Sequence, residues 1–184
     1  KIGSKKVEPN KYIKHKDFYE LIIHSPTYGY FNIFFDIEDY DEISKCTWFI
    51  SKCWNKKSNL TPIFYPTTSI KIAKGKRKNV MMHRMLTSPP KGKVVDHRDS
   101  NSCNNRRENL RICTQSQNRQ NYKGVNPNNT SGYIGVTWSK RHQKWQAYVH
   151  GKTKYYNLGL FDDILDAVEA RKAGEEKYFT VNDL

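Results

Sequence analysis

VVDHRDSNSCNNRRENLRICTQSQNRQNY, residues 94 to 122, reads as a short apolar strand ending on an acid and a histidine, a polar loop, a second strand and a polar helix. Val94 and Val95 carry Asp96 and His97 to the strand's end, and a returning strand opens at Asn109 with Leu110, Ile112 and Cys113. Thr114 is the expected N-cap of the helix, because its hydroxyl can accept from the first unpaired backbone N–H groups. Asn118 then falls on the first turns. A strand pair followed by a helix can bring the Asp96 carboxylate and the Asn118 amide together as two oxygen ligands, with His97 beside them. That set suits a hard divalent cation and a general base.

The order Asp-His, then Asn109 opening an NLR strand, then Asn118 in a QSQN helix, resembles the ββα-metal core of HNH endonucleases, above all the homing endonucleases of phages and introns. The preceding MHRML, Met82 to Leu86, is similar to the segment that leads into that core in the same family, so the resemblance covers roughly residues 80 to 122. It implies that Asp96 and Asn118 hold the metal, that His97 is the general base, and that Asn109 steadies the loop and the base. Asn118 stands where many of these proteins carry histidine, a variant that favours Mg2+, or another hard cation such as Mn2+, over zinc. Arg84, Arg106, Arg107, Arg111, Arg119 and Lys123 are the expected DNA contacts of this core.

A formal charge of +14 agrees with a polyanionic partner, double-stranded DNA. The chain has no apolar run long enough to span a bilayer, and its first residues lack the apolar core of a signal peptide, so an intracellular, cytoplasmic protein without a membrane partner is expected. Four cysteines, Cys46, Cys53, Cys103 and Cys113, include no C-x-x-C pair. Reduced thiols are expected, and no structural zinc.

Upstream, residues 1 to 16 read as a lysine-rich flexible arm. Strand-like runs follow at YELIIHS, YFNIFFDI, ISKCTWFISKCW and PIFYPTTSIKIA, separated by short turns that imply antiparallel pairing. Two basic turns, Lys56-Lys57 and Lys74 to Lys78, either keep strand ends soluble or meet phosphate. His83 reads as a packing or capping residue rather than a ligand. The expected organisation is α+β: a β-rich N-terminal domain over 1–80, the nuclease core over 81–122, a linker over 123–131 and a DNA reader over 132–184.

That last segment is polarised, with five basic and no acidic residues over 132–160 and three basic against seven acidic over 161–184. Trp145, Ala147 and Val149 alternate with Gln146, Tyr148 and His150, and Tyr156 and Leu158 alternate with Tyr155 and Asn157, as strands with one buried face require. A helix from Asp162 to about Tyr178 presents Ile164, Leu165, Ala167 and Val168. A three-stranded antiparallel sheet packed on one helix is expected. On YIGV (133–136), KWQA (144–147), LGLF (158–161) and the alanine-bearing helix, the segment resembles the plant ethylene-response-factor type of DNA-binding domain, which also occurs fused to HNH homing endonucleases.

The resemblance implies that the open sheet face enters the major groove, through Thr137, Gln146, Tyr148, His150, Tyr155 and Asn157, while Lys140, Arg141, Lys144, Lys152 and Lys154 anchor phosphates. Ile134, Thr137, His150 and Tyr155 replace arginines of the plant family, so its base code does not carry over. The expected function is metal-dependent, site-specific cleavage of duplex DNA by a homing endonuclease. Its rivals are a non-catalytic DNA-binding regulator and a restriction or defence nuclease. The sequence leaves protein partners and oligomeric state open, a monomer on DNA among the alternatives, and with one core per chain a double-strand break needs two copies or two visits.

Overall fold

The computed structural model describes residues 9–53, 62–121, 125, 128–151 and 154–179, in which eleven strands and four helices form an α+β fold with four small antiparallel sheets. The described residues group into two compact units: 9–53, 62–91 and 95–112 in the first, 92–94 and 113–179 in the second. Lys56-Lys57, Lys123 and Lys152 lie outside the described residues.

In the first unit, β1 (Lys11–Lys14), β2 (Phe18–Ser25) and β3 (Gly29–Asp36) form an antiparallel meander. The arm expected over residues 1 to 16 is thus a strand from Lys11. Tyr12 pairs with Leu21, and Asn10 fastens the strand's start by donating to Trp48 O at 3.0 Å and accepting from Trp48 N at 2.7 Å. A 3-10 turn and α1 (Tyr40–Ile43) lead into β4 (Trp48–Cys53), β5 (Ile63–Ala73) and β6 (Lys76–Met81), which form a second sheet in that order. The basic turn expected over Lys74 to Lys78 is only two residues long. Gly75 takes φ +73°, which closes the turn at Lys74-Gly75 and lets Lys76 to Lys78 continue as strand.

α2 (Met82–Thr87) follows β6 directly, and the hairpin β7 (Val94–His97) and β8 (Leu110–Cys113) completes the series. Leu21, Ile23, Ile33, Phe35, Ile43, Trp48, Met82, Leu86 and Leu110 form one buried cluster. Each such side chain contributes about 1.5–3 kcal/mol on burial. The core therefore runs without a break across residue 80, where sequence pattern placed a domain boundary. The β7–β8 loop is part of it: Phe34 N donates to Cys103 O at 2.9 Å and Asn105 N to Phe34 O at 2.7 Å, so residues 103–105 cover the open edge of β3.

The second unit contains α3 (Gln115–Gln120), β9 (Val136–Ser139), β10 (Lys144–His150), β11 (Tyr155–Phe161) and α4 (Ile164–Tyr178). β10 lies between β9 and β11, and Val136, Ala147 and Ala167 centre the core between sheet and α4. The expected alternation holds, with Ala147 and Val149 fully buried. On α4 the expected apolar face needs one correction. Leu165 is 59 % exposed, because the inward positions follow the 3.6-residue period through Ile164, Ala167, Val168, Arg171 and Gly174. No helix among the described residues is long and apolar enough to cross a membrane.

Candidate active site and nucleic-acid face

β7 ends on the two residues that carry the candidate chemistry, and it buries both: Asp96 and His97 are each 7 % exposed. Neighbouring β8 supplies the Asp96 counterion, since Arg111 donates to Asp96 Oδ2 through Nε at 2.8 Å and Nη2 at 2.6 Å. A carboxylate removed from water needs such compensation to stay ionised. By sequence, Arg111 is a DNA contact. The strand turns this arginine inward and leaves Ile112 38 % exposed, so its observed partner is the site's own carboxylate.

Burial pushes the His97 imidazole below its ordinary value, against the opposing pull of Asn105, Asp99 and Asp96. It is therefore neutral at pH 7, the form a proton acceptor needs. Two rings enclose it: His83 of α2 edge-on with centroids 5.1 Å apart, and Tyr65 of β5 at 6.2 Å. Burial is also the main reason that the His83 pKa falls to about 3, helped by His97 and Arg84.

Asn109 closes the loop between the strands. Its Oδ1 accepts from Asp99 N at 3.0 Å, and its Nδ2 donates to Asp99 Oδ1 at 2.9 Å and Asn104 O at 2.8 Å. Asn101 N to Asp99 Oδ1 and Cys103 N to Asn101 Oδ1 add two Asx turns. Burial raises the Asp99 pKa, but the hydrogen bonds from Asn101, Asn104 and Asn109, with His97 nearby, outweigh it and leave the carboxyl below its usual value. Sequence reasoning passes over Asp99, Asn101 and Asn104, although Asp and Asn at two-residue spacing are themselves an Asx-turn signal.

Two further arginines expected at DNA hold the loop down through ion pairs. Arg106 Nε meets Asp36 Oδ1 at 3.1 Å, and Arg107 meets Asp39 through Nε at 3.2 Å and Nη2 at 2.5 Å. Arg107 also meets Glu38 at 2.9 Å. These acids lie 68 to 71 residues upstream in the cases of Asp39 and Asp36, beyond any local pattern. Arg84, by contrast, is exposed on α2.

α3 begins as expected. Thr114 Oγ1 accepts from Gln117 N at 3.2 Å and Gln117 Oε1 accepts from Thr114 N at 2.9 Å, a reciprocal capping box. Asn118 is half-buried on this helix, in the second unit, and Arg119 is exposed. Among the described residues no group of three or more His, Cys, Asp or Glu forms a cation site. The expected donors are of another kind, one carboxylate and one amide oxygen. Both are hard oxygen donors, so the donor chemistry is of the kind a hard cation takes.

The second unit gathers most of the residues expected to read DNA on one face. Thr137 pairs with Gln146, Tyr148 with Asn157 and His150 with Tyr155, all opposite the face that packs on α4. Tyr148 stacks on Tyr155 at 5.3 Å, His150 meets Tyr155 edge-on at 5.3 Å, and Gln146 Nε2 approaches Tyr155 Oη and Asn157 Oδ1 at 3.4 Å. The polar row is thus held in place by its own contacts. Lys140 and Arg141 are exposed in the β9–β10 turn and Lys154 before β11, whereas Lys144 is salt-bridged to Asp162 at 2.9 Å.

Residues 88–120, which span β7, its loop, β8 and α3, match the family described as HNH endonuclease. Protein 3.8 of Escherichia phage T7 is 34 % identical over 96 residues, covering 52 % of this chain and 78 % of that protein. The chain belongs to the family of Protein 3.8. Within it, residues 88–120 are an HNH endonuclease domain, which supports a hydrolase acting on DNA. No solved structure matches the chain.

Proposed function

We propose that this protein is a divalent-metal-dependent endonuclease that hydrolyses phosphodiester bonds at specific sites in double-stranded DNA, of the homing type. The observation that carries the reading is a buried, neutral His97 next to the buried Asp96, on a loop locked by Asn109. His97 takes one proton from the attacking water as its oxygen bonds to phosphorus, and the bond to the 3′ oxygen breaks. The resemblance to HNH endonucleases assigns Asp96 and Asn118 as the residues that would hold the cation, Mg2+ or Mn2+, which when bound would act as a Lewis acid on the phosphate and the departing oxygen. Asn109 fixes the loop on which His97 ends.

The open face of the β9–β11 sheet supplies affinity and register in this reading, with Lys140, Arg141 and Lys154 at phosphates and the Gln146, Tyr148, His150, Tyr155 and Asn157 row toward bases. Its support is the resemblance to the ethylene-response-factor type together with the sheet-on-helix architecture. Exposed Arg84 and Arg119 remain phosphate contacts of the core, while Arg106, Arg107 and Arg111 act through the ion pairs described above.

Supercoiled plasmid incubated with the protein and Mg2+, with and without EDTA, tests the activity. His97→Ala is expected to keep duplex binding and to nick at least 100-fold more slowly, since general-base help is worth about 10²–10⁴ in rate. Undiminished nicking by that variant sinks the assigned base. The Asp96–Arg111 pair favours one rival, a DNA-binding protein whose carboxylate is committed to a guanidinium. A wild type that binds duplex and cuts under no divalent cation supports that rival.

A further inference from the structure

No acidic residue occurs between Glu42 and Asp96, a run that holds twelve Lys and Arg. Five of them, Lys71, Lys74, Lys76, Arg77 and Lys78, stand on the β5–β6 hairpin. β4 pairs with β5 only from Ile63 to Thr68, whereas β6 pairs with it from Thr67 to Ala73. Beyond Thr68 and Val80, β5 and β6 therefore continue as a two-stranded ribbon, exposed at every residue from 70 to 79. From Ser69 to the turn it reaches roughly 20 Å, at about 3.3 Å per residue.

The side chains on this ribbon are not those of a merely soluble hairpin. Ile70 and Ile72 are 38 % and 57 % exposed, and cross-strand pairing puts Lys78 on the face of Ile70 and Arg77 on the face of Lys71. Arg77 is held along the ribbon by Ser69, whose Oγ accepts from Nε at 3.1 Å and whose carbonyl accepts from Nη2. Both strands are rooted at the candidate site. Tyr65 of β5 and His83, just after β6, are the two rings that enclose His97.

We infer that the β5–β6 ribbon inserts into the major groove of duplex DNA beside the phosphate presented to His97. This rests on the endonuclease reading and adds a second DNA-binding element to it. A major groove about 12 Å wide admits a two-stranded β-ribbon, and its walls are phosphates within reach of lysines on both strands. The isoleucines then meet base edges and thymine methyl groups, apolar surface that water otherwise covers.

Fluorescence anisotropy of the full chain with a labelled mixed-sequence duplex of about 30 base pairs, over a salt series with EDTA present, tests the assignment. Exchanging Lys71, Lys74, Lys76 and Lys78 together for Gln is expected to reduce the slope of log affinity against log salt by about 3–4, near 0.9 for each phosphate no longer neutralised. Exchanging exposed Lys172 and Lys177 of α4 for Gln serves as the control and leaves the slope within 1 of wild type. The pair Ile70→Ser and Ile72→Ser is expected to weaken duplex binding several-fold with the slope kept, and to leave binding of the single strand unchanged. An unaltered slope in the lysine variant, or equal losses on duplex and single strand in the isoleucine variant, overturns the ribbon while the nuclease reading stands. A wild type with no duplex affinity overturns both.

Discussion

Deleting the Asn109 amide removes three hydrogen bonds at once and leaves Asp99 N and Asn104 O without that partner. Asn109→Ala is expected to lower stability by about 2–3 kcal/mol and to slow nicking with little change in duplex affinity. Urea melts and single-turnover nicking check it, and a variant as active as wild type removes Asn109 from the site. His83 predicts a pH effect. Its folded pKa of about 3 lies below the ordinary 6.5, so between these values the unfolded chain binds the extra proton. The fold loses stability as pH falls through that window, by up to about 1.4 kcal/mol per unit from this group. Between pH 7.5 and 5, His83→Phe is expected to lose about 2 kcal/mol less than wild type; equal losses refute it. Asp96, His97, Asn109 and the Thr114 cap are legible in the sequence because each is set by neighbours within a few residues. Tyr65 is not, since nothing near it in sequence points to His97.

At the scale of elements, the loop between β7 and β8 owes its placement to β3 and the acids after it. Asp39 is 3 % exposed and takes two bonds from Arg107, whose own side chain is half exposed. Asp39→Asn is therefore expected to cost about 1–2 kcal/mol, less than for a fully buried pair. Because it removes one of the two carboxylates on the Arg107 guanidinium and leaves Glu38, the same change is expected not to weaken duplex binding. A fall in affinity measured by anisotropy would mean that Arg107 already touches DNA through this pair. Most strand and helix positions follow from periodicity and turn residues, down to the Thr114 cap, but the strand expected from Ile43 begins only at Trp48, after α1. The ion pairs of Arg106 and Arg107 do not, because a basic pair in a polar loop looks the same whether it faces phosphate or a distant carboxylate.

At the scale of the molecule, the candidate chemistry of His97 and the open β9–β11 face belong to separate compact units. Tyr148→Ala with Tyr155→Ala is expected to weaken binding of a preferred duplex tenfold or more, as the stacking surface and the alignment of the row both go. Nicking of substrate already bound is expected to stay within about threefold of wild type. Unchanged affinity in that variant removes the face from recognition. The β-rich half is legible as strands but not as sharing a core with Met82, Leu86 and Leu110, because a shared core is a property of packing between segments far apart in sequence.

The edge of β3 that residues 103–105 cover sets a limit on transplantation. Cutting out the HNH segment alone would strip the Phe34–Asn104 bridge and its two backbone hydrogen bonds from β3, expose the Phe34 donor and acceptor to other chains, and take Asp36 from Arg106 and Glu38 and Asp39 from Arg107. A graft of this HNH domain into another protein must therefore bring β2, β3 and Asp36 to Asp39 with it.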